Sequence, residues 1–194
     1  MMTEPELQVL ALSLRVSAWA VLVTLPLAAA LGYALSRPRF PGKSVLDAAT
    51  HLPLVLPPVL IGFLLLLALG RRSLIGGWLE ESFGVRLAFT SVGASIAVGV
   101  MTLPLMVRAM RLSFESADRG LGDAAAVLGA GRLDRFFTVA LPLAAPGLLS
   151  AAVIGFVAGM GEFGAVITFA ANIPGETQTL PLAMYAALQS PDGE

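Results

Sequence analysis

Apolar residues gather into four long runs, at about 11–35, 52–69, 88–107 and 143–171, and nearly all charged residues fall between them. A helix crossing the hydrocarbon core of a bilayer needs roughly 20 mostly apolar residues, so these runs have spanning length. Each is apolar around its whole circumference and not along one stripe, which suits lipid on one side and packed helices on the other. The pattern predicts an all-α, polytopic helical membrane protein. With no internal repeat and no low-complexity linker, residues 1–194 read as a single transmembrane domain.

Proline and glycine mark where the runs are interrupted. The loop Ser36-Arg37-Pro38-Arg39-Phe40-Pro41-Gly42-Lys43 stops the first helix. The second run opens His51-Leu52-Pro53-Leu54-Val55-Leu56-Pro57-Pro58, and three prolines so close together do not fit an undisturbed helix. Irregular backbone at membrane depth is tolerated where it is buried in protein or lines a wet cavity. Pro53, Pro57 and Pro58 are therefore candidate pathway residues. The alternative, prolines in a first helical turn at the membrane surface, stays open at this point.

Basic residues orient the spans. Arg37, Arg39, Lys43, Arg108, Arg111, Arg119, Arg132 and Arg135 lie in the first and third connections, against Arg71, Arg72 and Arg86 in the second. Because short loops rich in Lys and Arg stay in the cytoplasm, the N terminus is predicted to be external and the loop at about 117–142 cytoplasmic. Trp78 marks the second connection as an interfacial segment on the outer surface. The N-terminal residues carry Glu4 and Glu6 and no base, so the first run is expected to remain as a span and not to be cleaved as a signal.

Composition narrows the functional classes. Hydrophobic residues make up 57% and charged residues 13%, against about a quarter charged in a soluble domain. A net charge of −1 without a basic face excludes nucleic acid as a partner. There is no cysteine, and His51 is the sole histidine, so thiolate metal sites and thiol or histidine-dyad catalysis have no residues to work with. No catalytic residue and no metal ligand is expected.

The segment Asp123-Ala124-Ala125-Ala126-Val127-Leu128-Gly129-Ala130-Gly131 has strong helix formers followed by glycines suited to ending a helix. A second helix is expected over Arg132 to Ala140, and Leu141-Pro142 leads into the fourth span. The spacing Asp123-Ala124-Ala125, three residues, Gly129, nine residues, Val139, one residue, Leu141-Pro142 resembles the EAA loop of ABC importer permeases. The family pattern begins with glutamate and has isoleucine before its last pair, so Asp123 and Val139 are conservative departures. The resemblance implies a type I importer-like permease fold in the bacterial inner membrane. It also implies that this loop, including Gly131, is the coupling helix that docks on an ATPase subunit.

Further stretches, Phe40-Pro41-Gly42-Lys43, the proline-rich segment at 51–58, Gly161-Glu162-Phe163-Gly164-Ala165 and Asn172-Ile173-Pro174-Gly175-Glu176-Thr177, look like the molybdate permease family. The Gly-Glu-Phe-Gly element also occurs in related sulfate permeases, so sulfate, thiosulfate or tungstate import is the alternative within this class. The resemblance implies a homodimer of permeases, two cytoplasmic ATPase subunits and an external substrate-binding protein. No cofactor is expected on this chain: it lacks a phosphate-cradling Gly-Lys-Ser/Thr loop, and ATP is used by the partner subunit. The family continues beyond the Pro181 to Glu194 region into one more span, so the resemblance implies a sequence without the family's last transmembrane helix.

Single residues complete the expectations. Glu162 is an intramembrane carboxylate, functional by default, yet it repels an anion; a structural or gating role is expected, with Arg15 as its partner at similar depth. Gly161 and Gly164 flank it as candidate gating residues. Gly155 and Gly159 have the spacing of close helix packing. An intramembrane enzyme would need a catalytic constellation beyond Arg15 and Glu162, and a secondary transporter would show matching broken segments in two halves.

Overall fold

The computed structural model describes residues 3–37 and 39–190. Helix α1, Glu4–Ser36, starts where the backbone N–H of Thr3 donates to the Glu6 carboxylate at 2.6 Å, and it carries Pro5 in its first turn. Its 33 residues give a length of about 50 Å. Ser13, Val16, Ser17, Ala20, Thr24, Ala28 and Leu35 form one buried face with three- and four-residue spacing. Helix α5, Ser91–Ser116, lies against that face, capped by Thr90, whose hydroxyl accepts from Gly93 N at 3.1 Å. These two helices are each long and apolar enough to cross a membrane.

The remaining spans are broken. Helices α2, Lys43–Val55, and α3, Pro58–Leu69, meet at an angle of 114°. The expected single span at 52–69 is thereby corrected: residues 52–55 belong to α2, and only α3 runs on. The cause is local. Leu56 and Pro57 both precede a proline and are extended, and neither Pro57 nor Pro58 has an N–H to continue the ladder. The fourth run is likewise two helices and not one: α9, Ala145–Met160, and α10, Gly164–Phe169, with Gly161-Glu162-Phe163 between them. The third run, expected to end near 107, continues as helix to Ser116 with Pro104 buried inside it.

Between α3 and α5, α4, Leu74–Phe83, is capped by the Ser73 hydroxyl, which accepts from Gly76 N at 2.8 Å, and closed by Gly84 at φ 66°. Both Arg71 and Arg86 reach Glu80 from its flanks, at 3.1 and 2.8 Å. After α10, Thr177 ties a loop by donating to Ala171 O and accepting from Ile173 N, each at 3.0 Å. Helix α11, Leu180–Gln189, follows, and its first N–H donates to the Ser13 hydroxyl of α1 at 2.6 Å.

Helix α9 packs on both α1 and α5. The approach is close because its glycines leave room: a β-carbon at Gly155 would stand 2.6 Å from Met106 Sδ, and one at Gly159 2.7 Å from Val98 Cγ1. Two core clusters result. One joins Val16, Ala97, Val98, Val166 and Phe169, and the other joins Ala28, Leu35, Met106, Met110 and Ala151.

Candidate functional site

One of the three prolines, Pro58, meets a small-residue segment distant in sequence, because α10 packs on α3. A β-carbon at Gly164 would lie 2.7 Å from Pro58 Cβ, and one at Gly62 would lie 2.7 Å from both Ala165 O and Thr168 Cβ. The first turn of each short helix therefore abuts the other with no side chain between them. Pro57 caps α3, Pro58 opens it, and Pro53 sits a turn earlier inside α2. Gly161 ends α9 and is exposed, whereas Gly164 is buried.

Glu162 lies in the break itself. Its carboxylate accepts from the backbone N–H of Ala165 at 3.0 Å and so caps the short helix that follows. The expected pair with Arg15 does not form: among the described residues there are four arginine–carboxylate ion pairs, and none joins these two. Helical phase explains it. Ser13, Val16, Ser17 and Ala20 of α1 face inward, which turns Arg15 to the exposed side, where it borders an apolar groove between α1 and α5.

The loop that follows α5 forms a second candidate site. Helix α6, Arg119–Val127, is capped by Asp118, whose carboxylate accepts from Gly120 N at 2.8 Å. Gly129, at φ 88°, provides the left-handed exit, and Ala130 N donates back to Ala125 O at 3.0 Å. Asp123 and Ala124 are exposed and Ala125 is half-buried. Gly131 caps α7, Arg132–Arg135.

The single helix expected over 132–140 is instead α7, a wide π-helical turn over Phe136–Ala140, and the short α8, Leu141–Leu143. Pro142 lacks the N–H that a regular helix would donate to Thr138, so the turn widens and Leu141 N reaches back to Phe136 O. Val139 and Leu141 are half-buried and Pro142 is exposed.

Two features of this loop escaped sequence reasoning. Val127 and Leu128 at the tip are 88% and 87% exposed, an apolar knob where a free-standing loop would be polar. At its base, Phe136 stacks edge-on against Tyr33 at 4.8 Å, and Tyr33 against Phe114 at 5.3 Å. The ends of α1 and α5 are thus bolted to the loop through three rings. No local signal in the sequence shows that three separate elements would bring these rings together. Nearby, Arg111 of α5 reaches Asp47 of α2 at 3.3 Å and Glu115 at 2.8 Å, and His51 Nδ1 lies 2.9 Å from Asp47 O.

The family model described as binding-protein-dependent transport system inner membrane component matches residues 9–190. The molybdenum transport system permease protein of Escherichia coli K12 is 52% identical over 193 residues, covering 100% of this chain and 84% of that protein. Its namesake from Haemophilus influenzae is 49% identical over 189 residues, covering 97% of this chain and 82% of that one. A third, from Azotobacter vinelandii, is 35% identical over 185 residues, covering 95% and 81%. A multi-pass helical chain with an EAA-type loop, matched over nearly its whole length, belongs to the family of binding-protein-dependent transport system inner membrane components.

Proposed function

We propose that this chain is the channel-forming subunit of an ATP-driven importer that carries molybdate into the cytoplasm by alternating access. It works as a homodimer with two cytoplasmic ATPase subunits and an external substrate-binding protein, has its N terminus outside, and binds no cofactor itself. One observation carries the reading: an exposed short helix with an apolar tip, ended by a left-handed glycine and anchored by aromatic rings to two spans. Such a helix fits a groove on a partner and passes a rigid-body push into the spans it is bolted to. Molybdate is favoured because relatives 52% and 49% identical are named molybdenum transport permeases.

In this reading Asp123, Ala124, Ala125, Val127, Leu128 and Gly129 dock on the ATPase, and Gly131, Val139, Leu141 and Pro142 transmit its motion to α9. The contact between Pro58 and Gly164, where two short helices meet, is the gating point. Bistable packing of that kind switches between arrangements and does not deform continuously. The carboxylate of Glu162 holds the break in shape and does not bind the anion.

The test is uptake of radioactive molybdate into proteoliposomes holding the permease, its ATPase and its binding protein, with sulfate, thiosulfate and tungstate as competitors. Uptake that requires ATP and vanishes in Leu128→Asp upholds the reading. Uptake of sulfate in preference to molybdate would transfer the assignment to the sulfate group, and uptake insensitive to ATP would end it.

A further inference from the structure

A cavity of about 580 Å³ opens between the ends of α1 and α5 and the loop that follows. Arg37, Arg39, Arg132 and Arg135 line it, with Asp118 and Asp123 as its carboxylates. None of these four arginines forms an ion pair among the described residues. Asp118 is already engaged as the cap of α6. Arg37 is held in place, with its guanidinium 5.0 Å from the centre of the Tyr33 ring and donating to the Tyr33 hydroxyl at 3.2 Å. Arg135 Nε is buried with no acceptor.

We propose that this cavity binds a tetrahedral oxyanion group, either free or as the phosphate of an anionic lipid headgroup. Four guanidinium groups outnumber two carboxylates around one concave space, and the planar guanidinium fork matches the oxygens of such a group in paired hydrogen bonds. A buried N–H without an acceptor carries a desolvation cost that a bound anion removes. The cavity lies where two spans end, the depth at which basic pockets between helices meet headgroups. Its chemistry stands independently of the transport reading, whereas its cytoplasmic location rests on the topology proposed above.

An anion held there bridges two chain segments. Arg37 and Arg39 follow α1, and Arg132 and Arg135 follow the coupling helix α6. Occupancy therefore ties the docking helix to the first span and stiffens the path along which the ATPase pushes.

The full chain, purified into phosphatidylcholine nanodiscs, is titrated with inorganic phosphate by thermal shift, and its retention of phosphatidylglycerol from mixed vesicles is read by native mass spectrometry. Binding of at least one probe is expected, weakened roughly ten- to hundredfold in Arg132→Gln/Arg135→Gln through loss of charge-assisted hydrogen bonds. Arg71→Gln/Arg86→Gln, at the far loop, leaves it unchanged. If substitution of the half-buried Arg135 impairs folding, Arg37→Gln and Arg39→Gln, at exposed positions, give the same readout.

Phosphate binding without anionic lipid upholds the site with a free oxyanion as ligand, and binding of phosphatidylglycerol alone upholds it with a lipid. Failure of both probes, or binding that survives the substitutions, overturns it. So does loss of ATPase co-purification in the arginine variants when neither anion binds, which assigns the cavity to a protein contact. Labelling of Gly122→Cys from outside the cell by a membrane-impermeant reagent would overturn the topology while leaving the anion site standing.

Discussion

Replacing Gly164 by alanine tests whether the contact between the two broken spans is as tight as the packing implies. The new β-carbon would stand 2.7 Å from Pro58 Cβ and 3.2 Å from Val59 N. Carbon atoms in ordinary contact lie about 3.5–4.0 Å apart, so α3 must withdraw by roughly 1 Å. Neither contacting atom is the end of a flexible side chain, and one is backbone, so rotation cannot relieve the clash. Overpacking of this kind costs about 1–3 kcal/mol, equivalent to a fall of roughly 2–12 °C in unfolding temperature for a chain of this size. Gly161, three residues earlier, is the control: its β-carbon would meet only Ala158 O, at 3.7 Å. Thermal unfolding of both variants in detergent, followed by uptake in proteoliposomes, should show Gly164→Ala destabilised and slow and Gly161→Ala close to the parent. Equal unfolding temperatures for parent and Gly164→Ala, with transport intact, would refute the close approach of α3 and α10 and the gating role built on it.

Other consequences are separately measurable. Gly129 sits at φ 88° and Gly131 at φ −67°, so Gly129→Ala should cost about 1–2 kcal/mol locally and weaken co-purification of the ATPase, while Gly131→Ala should leave it unchanged. Glu162→Gln keeps an acceptor for Ala165 N and should unfold near the parent temperature, whereas Glu162→Ala loses the cap and should cost about 0.5–2 kcal/mol; a double-mutant cycle with Arg15→Ala should show coupling near zero. Thr177→Val removes the hydroxyl that both donates to Ala171 O and accepts from Ile173 N, and a loss of about 1–3 kcal/mol is expected by thermal unfolding.

How much of this was legible beforehand depended on whether the deciding interaction was local. Runs of spanning length, a helix from Asp123 that stops at Gly129, and the disturbance at Pro57 and Pro58 follow from residues within a turn or two of each other, although the helix itself starts earlier, at Arg119. Apolar run length, helix capping and a missing N–H act on their immediate neighbours, so a single sequence suffices to read them. A bend of 114° at Leu56 and Pro57 exceeds what proline alone dictates, because its size is set by what the two arms pack against.

Non-local choices were not legible. Arg15 and Glu162 looked like partners at similar depth, yet depth along a span says nothing about rotation around it. The packing of α1 on α5 and α9 set that rotation and turned Arg15 outward. Glu162 meanwhile had amide donors three residues away, a cheaper partner than a charge carried across a bundle. The same holds for Tyr33, Phe114 and Phe136, and for Pro58 and Gly164, each placed in contact by the path of helices far apart in the chain. The amino-acid sequence by itself determined where apolar runs of spanning length lie, that the backbone is disturbed at Pro57 and Pro58, and that a helix stops at Gly129, since those depend on local burial and hydrogen-bonding capacity; the break at Gly161-Glu162-Phe163 was not among them. Only the tertiary structure decided which breaks meet and which charges stay apart, because helix rotation and pairing are set by close packing over the whole bundle.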